Sequence, residues 1–138
     1  MPVSRASLLL LPAFAVLIGC SQPVEGAAEA SEAEAFAPHY HGIRTAMLDG
    51  DLVNFHVAMS RARDGTDVED YARCAAAQYA LIRGHGFARH LRTTLERSGQ
   101  KWTGDAIYTI SAALPRGIAT IDAEVTVRDC AARAVPTI

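Results

Sequence analysis

The chain has a single lysine, Lys101, no run of basic residues and a formal net charge of −2 over 138 residues. A charge balance of that kind offers no basic stripe to neutralise backbone phosphates, so no nucleic-acid partner is expected. The motifs of common catalytic machinery are also absent. There is no Gly-x-Ser-x-Gly elbow and no His-Glu-x-x-His helix. No Cys-x-x-Cys pair argues for redox chemistry. Gly84-His85-Gly86 resembles a phosphate loop only in part, because it lacks a preceding strand, further glycines and a following helix, and it reads as a helix stop. Enzyme function is therefore not expected, and no cofactor is implied.

What is present begins with Met1 to Cys20. Arg5 supplies a positive start, and Leu8 to Ile18 is an apolar run of secretory length, too short to span a bilayer. Leu17-Ile18-Gly19-Cys20 follows, and these four residues resemble the lipobox of bacterial lipoproteins. The resemblance covers only the signal. It implies cleavage before Cys20, a diacylglyceryl thioether on that sulfur and a fatty acyl group such as palmitate on the new amine. Several chains of this kind make a stable membrane anchor. Ser21, in place of Asp, resembles the residue that allows transfer to the outer membrane in two-membrane bacteria. The implied location is the cell envelope, facing the periplasm, with the outer membrane favoured over the inner.

The chain then divides as residues 1–19 signal, 20–37 tether and 38–138 folded domain. Gln22 to Ala37 is rich in Ala, Glu, Ser and Pro, with Phe36 as its one aromatic. Such a composition buries too little apolar surface to offset its ordering entropy. As a flexible coil it spans about 20–25 Å. About 100 residues remain, enough for one small core.

Pro38 to Leu48 reads two ways. Tyr40, Ile43 and Met47 lie at helical spacing behind Pro38, whereas Asp49-Gly50 is a hairpin signal that makes Ile43 to Leu48 a strand. The short helix is the expectation adopted. Leu52 to Ser60 alternates, with Val53, Phe55, Val57 and Met59 on one side, and predicts a half-buried strand. Thr66 and Glu69 form a capping box for a helix over Asp67 to Arg83. Val68, Ala72, Ala75, Tyr79 and Ile82 form its apolar stripe, widened by Tyr71, Gln78 and Leu81, with Asp70, Arg73 and Ala77 opposite. Cys74 sits at the stripe's margin. Gly84 is placed for a left-handed cap. Three more strands are expected: Phe87 to Glu96 with Leu91, Thr93 and Leu95 inward, Trp102 to Ser111, and Ile118 to Arg128 with Ala119, Ile121, Ala123, Val125 and Val127 on one face. These three form an antiparallel meander. The fold class is α+β, order β-α-β-β-β, with one main helix on a four-stranded, mostly antiparallel sheet whose other face is wet.

Three groups of residues could carry chemistry. Cys74 and Cys130 are the two cysteines left after Cys20. In an oxidising compartment they are expected to pair, adding about 4 kcal/mol in the chain-entropy model. The competing reading makes Cys74 a nucleophile beside His85 or His90. His39 and His41 bracket Tyr40 and are weak metal-ligand candidates, lacking a third ligand nearby. His56 and His90 would face the wet side. Asp122 and Glu124 share a strand face with Arg92, Lys101 and Arg128, which suits cross-strand ion pairing better than acid–base catalysis. Residues 38–138 as a whole resemble small uncharacterised lipoproteins of proteobacteria, in size, tether and paired-cysteine α+β layout. The resulting expectation is a lipid-anchored, non-enzymatic module that binds another envelope protein or the cell wall, the alternative being a small-ligand or metal-binding lipoprotein.

Overall fold

The computed structural model describes residues 36–138. The expected signal segment 1–19, the expected lipidation site Cys20 and the expected tether up to residue 35 lie outside the described residues. The elements run β1 (His39–Met47), β2 (Leu52–Ser60), α1 (Gly65–Ile82), β3 (Phe87–Ser98), β4 (Lys101–Ser111), β5 (Thr120–Asp122) and α2 (Ala123–Ala132). All strand pairs are antiparallel and the sheet order is β1-β2-β4-β3-β5. The α+β class stands, with one main helix on one face of an antiparallel sheet. The sheet has five strands in place of four, and a second helix replaces most of the last expected strand.

The first correction concerns residues 38–48, which form strand β1 and not a helix. Asp49-Gly50 closes a hairpin, with Gly50 at φ +61° and Leu48 N–H donating to Leu52 O at 2.9 Å. A left-handed residue at that position costs glycine little. The register shifts between Tyr40 and Gly42, so Tyr40 opposes Met59 and Ile43 opposes Val57, both on the covered face. A bulge adds one residue to one strand. It therefore puts two apolar residues three apart on one side of a strand, which imitates helical spacing.

Strand β2 alternates as expected: Val53, Phe55, Val57 and Met59 are all fully buried. Each such side chain contributes about 1.5–3 kcal/mol by leaving water. Helix α1 lies over them. Its cap is Asp64, two residues before the expected Thr66: the Asp64 carboxylate accepts from Thr66 N–H at 2.9 Å, and Asp67 reaches back to Arg63 N–H at 2.7 Å. The helix stops as expected. His85 N–H donates to Ala80 O at 2.8 Å and Gly84 N–H to Leu81 O at 2.9 Å, with Gly84 at φ +75°, the bond pattern of a Schellman motif. The helix comes close to the sheet where β4 carries Gly104. A Cβ there would sit 2.9 Å from Val68 Cγ1.

Two corrections fall on the last strands. The register of β3 against β4 shifts between His90 and Arg92. Leu91 becomes the extra residue and is 41% exposed, and His90 turns to the covered face. The segment Ile118 to Arg128 is a strand only at Thr120–Asp122, pairing with β3 and not with β4. Asp122 then caps helix α2, its carboxylate accepting from Val125 N–H at 3.0 Å. Asp122, Glu124 and Arg128 accordingly form no shared strand face. Ala123, Thr126, Val127 and Cys130 are spaced at i, i+3, i+4 and i+7, and Ala123, Thr126 and Cys130 are buried. That helical period coexists with the strand-like alternation and wins because it has a cap and a partner helix.

Candidate functional site

Helix α2 packs on the outer face of α1, so α1 is covered on both sides. Cys74 and Cys130 are disulfide-bonded between the two helices, with Cα atoms 6.0 Å apart and 56 residues between them. Both are fully buried, which moves Cys74 from the margin of the stripe to the helix–helix seam and removes either sulfur as a free nucleophile. Each cysteine follows a charged residue, Arg73 and Asp129, and these meet across the seam. Arg73 donates to Asp70 at 2.8 Å and to Asp129 at 3.2 Å. Arg133 donates to Asp129 at 2.7 Å and also to Asp70. Burial pulls the Asp70 carboxyl upward, yet hydrogen bonds from Arg133 and Arg73 outweigh it and hold the group below its ordinary range. Two acids and two arginines thus neutralise one another beside the disulfide.

The open face of the sheet carries a mixed polar surface. His56 on β2 and Asp105 on β4 are cross-strand neighbours, with Nδ1 and Oδ1 3.0 Å apart. Arg44 opposes His56 from β1, and Thr94 opposes Asp105 from β3. Lys101 and Glu96 extend the same face. His90, expected on the wet side with His56, is not part of it, and β4 separates β2 from β3, so the two histidines do not meet. His39 and His41 do come together at the β1 bulge, ring centroids 4.7 Å apart, with His41 Nε2 2.6 Å from Ser60 Oγ. Among the described residues no three His, Cys, Asp or Glu side chains converge to hold a metal ion, and a zinc site needs three or four protein ligands.

A cleft of about 310 Å³ opens on the other side of the sheet, between α1, the β3–β4 pair and the Ala119–Ile121 segment. Tyr108 rises into it from β4 and is 3% exposed. Burial pushes its phenol ionisation far upward; Arg73 opposes that shift, while Glu69 and Asp70 reinforce it. The His90 ring lies against it, centroids 5.1 Å apart, and His90 Nε2 is 2.8 Å from Thr93 Oγ1. The Thr120 hydroxyl is buried in the wall without a hydrogen-bond partner. Sequence reasoning overlooked this cleft. The signal for it is weak: His90 enters only through the bulge, and Glu69 stands at capping-box spacing behind Thr66.

A family model described as the YNQ4 C-terminal domain matches residues 40–134, and the chain belongs to that family. The match begins in β1 and ends just past α2, so it includes all of the sheet but His39, both helices and both disulfide cysteines. A relative from Paracoccus denitrificans, described as an uncharacterized 26.9 kDa protein in nqo8 5'region, is 32% identical over 77 residues. Those residues make up 54% of this chain and 30% of the relative. No solved structure matches. Among the described residues no helix is long and apolar enough to cross a membrane.

Proposed function

We propose that this member of the YNQ4 C-terminal domain family is a lipoprotein held in a bacterial cell envelope through Cys20, and that its domain is a non-enzymatic module that binds another envelope protein or the cell wall. The observation that carries the envelope reading is the pairing of Cys74 with Cys130. Structural disulfides persist in exported proteins and are rare in reducing compartments. It agrees with the lipobox at Leu17 to Cys20, which would put residues 38–138 on the periplasmic side. Ser21 favours the outer membrane.

The docking face is the open side of the sheet. Its Arg44, His56, Asp105, Lys101 and Glu96 mix charges of both signs on rigid strands, which suits specific pairing with a polar macromolecular surface. Two measurements test the reading. Labelling with a palmitate analogue should tag the protein, and Cys20→Ala should abolish the tag; an unlabelled native protein would remove the anchor. Photo-crosslinkers at Thr94 and Thr103 in living cells should trap one recurring partner. Repeated recovery of monomer alone would overturn the docking face.

A further inference from the structure

We propose that the cleft between α1 and the β3–β4 pair is a ligand site for a small hydroxylated amine of the amino-sugar or amino-alcohol class. This goes beyond the docking reading and is independent of it, because the cleft lies on the covered side of the sheet, away from Arg44, His56 and Lys101.

Three observations support the site. Tyr108 is 3% exposed and its side chain lines the cleft. Thr120 Oγ1 is a buried hydroxyl in the same wall with no partner. Buried polar groups in native proteins are nearly always satisfied, and those that are not point to a water or ligand site. Glu69 at the rim has no ion-pair partner among the described residues. Its neighbours differ in that respect: Asp70 and Arg73 are committed to one another and to Asp129 and Arg133. The cleft therefore holds one carboxylate without an ion-pair partner, one unmatched hydroxyl and an aromatic wall formed by Tyr108 and His90.

The ligand chemistry follows from that inventory. A positive group complements the exposed Glu69 carboxylate at the rim, and an ammonium supplies it with donors to spare. Thr120 donates or accepts, so a hydroxyl on the ligand satisfies it, and a second hydroxyl can meet that of Tyr108. The C–H face of a sugar ring or a short carbon chain covers the Tyr108 and His90 rings. A volume of about 310 Å³ is at the small end of ligand pockets, which fits a monosaccharide-sized molecule.

The test uses the full chain in detergent micelles, with amide chemical shifts followed by NMR during titration with D-glucosamine, D-glucose and N-acetyl-D-glucosamine. D-glucosamine should give saturable shifts centred on Glu69, His90 and Thr120, and bind about tenfold more tightly than the two uncharged sugars. Glu69→Gln should lose that tenfold preference, while Glu96→Gln on the open face leaves it intact. Tyr108→Phe keeps the ring and should weaken binding about fivefold; if that variant does not fold, Thr120→Val tests the same hydroxyl set. No saturable shift with D-glucosamine, or equal binding of D-glucosamine and N-acetyl-D-glucosamine, would overturn the proposal.

Discussion

Helix α1 has 18 residues, of which eight are buried, and it lies between the sheet on one side and α2 on the other. Helix α2 has ten residues, of which three are buried, and it touches the rest of the domain chiefly through α1. The first is held by burial spread along its length. The second is held by a few strong, local ties: a cap at Asp122, the Cys74–Cys130 bond, and the Asp70, Arg73, Asp129 and Arg133 cluster. A short helix is marginal in water by itself, so α2 exists because long-range partners hold it, whereas α1 would be anchored by almost any subset of its contacts.

The largest expected effect breaks the comparison at its main tie. Replacing both Cys74 and Cys130 with Ala removes the constraint on a 56-residue span and should cost about 4 kcal/mol of unfolding free energy. Denaturant melts would measure it, and the same variant should show fast amide exchange across Ala123–Ala132 while β2 and β4 stay protected. Equal loosening of α1 and α2 would mean that the helices are one cooperative unit. The next effect acts on α1 from the sheet side. In Gly104→Ala the new Cβ would lie 2.9 Å from Val68 Cγ1, 3.4 Å from Val57 Cγ2 and 3.5 Å from Leu95 Cδ2. Both valines are fully buried and cannot swing away, so overpacking should cost about 1–3 kcal/mol. Thermal unfolding should show one lowered transition for the whole domain, in contrast to local loss of α2.

The same contrast explains what was legible in the sequence. Strand β2, helix α1 and strand β4 declare themselves through their own periodicity, because each buries one regular face. The Schellman stop at Gly84 is equally local. What escaped depended on partners elsewhere in the chain. Ile121, Val125 and Val127 favour a strand by β-branching, and nothing near them announces that Arg73 stands ready to receive Asp129. The bulges at His41 and Leu91 shift the inward set by one residue, which turned a strand into an apparent helix at Tyr40 and Ile43 and hid His90 from the cleft. The paired cysteines were foreseeable from their even number; the Arg–Asp cluster flanking them was not.

A smaller effect tests the charges at the seam. Asp70→Asn leaves Arg73 and Arg133 with one carboxylate between them and should cost about 1–2 kcal/mol, the lower part of the range for charged hydrogen bonds because the cluster is partly open to solvent. The acid dependence has a definite sign. Asp70, Asp67 and Asp129 all sit below their ordinary value of 3.8. Their stabilising contribution is complete above the unfolded-state value and is lost as pH falls through the lower folded values. Stability should therefore be flat from neutral pH to about pH 5 and decline below about pH 4, with a shallower decline in Asp70→Asn. A decline as steep as in the parent protein would show that Asp70 contributes nothing to it.

The smallest effect compares the two caps directly. Asp64 and Asp122 each accept one backbone N–H at the start of a helix, at 2.9 and 3.0 Å, and each should cost about 1 kcal/mol on truncation to Ala. The cost should appear in different places. Asp64→Ala weakens a helix that unfolds only with the core, so the loss should lower the global melting midpoint. Asp122→Ala weakens a helix that can open while the sheet remains folded, so it should speed amide exchange in Ala123–Ala132 with little change in the global midpoint. In the disulfide-free background the Asp122→Ala increment should exceed its value in the parent, because the covalent tie no longer holds the uncapped turn in register. Equal increments in the two backgrounds would mean that the cap and the disulfide act independently, and that α2 is a better helix in its own right than its ten residues suggest.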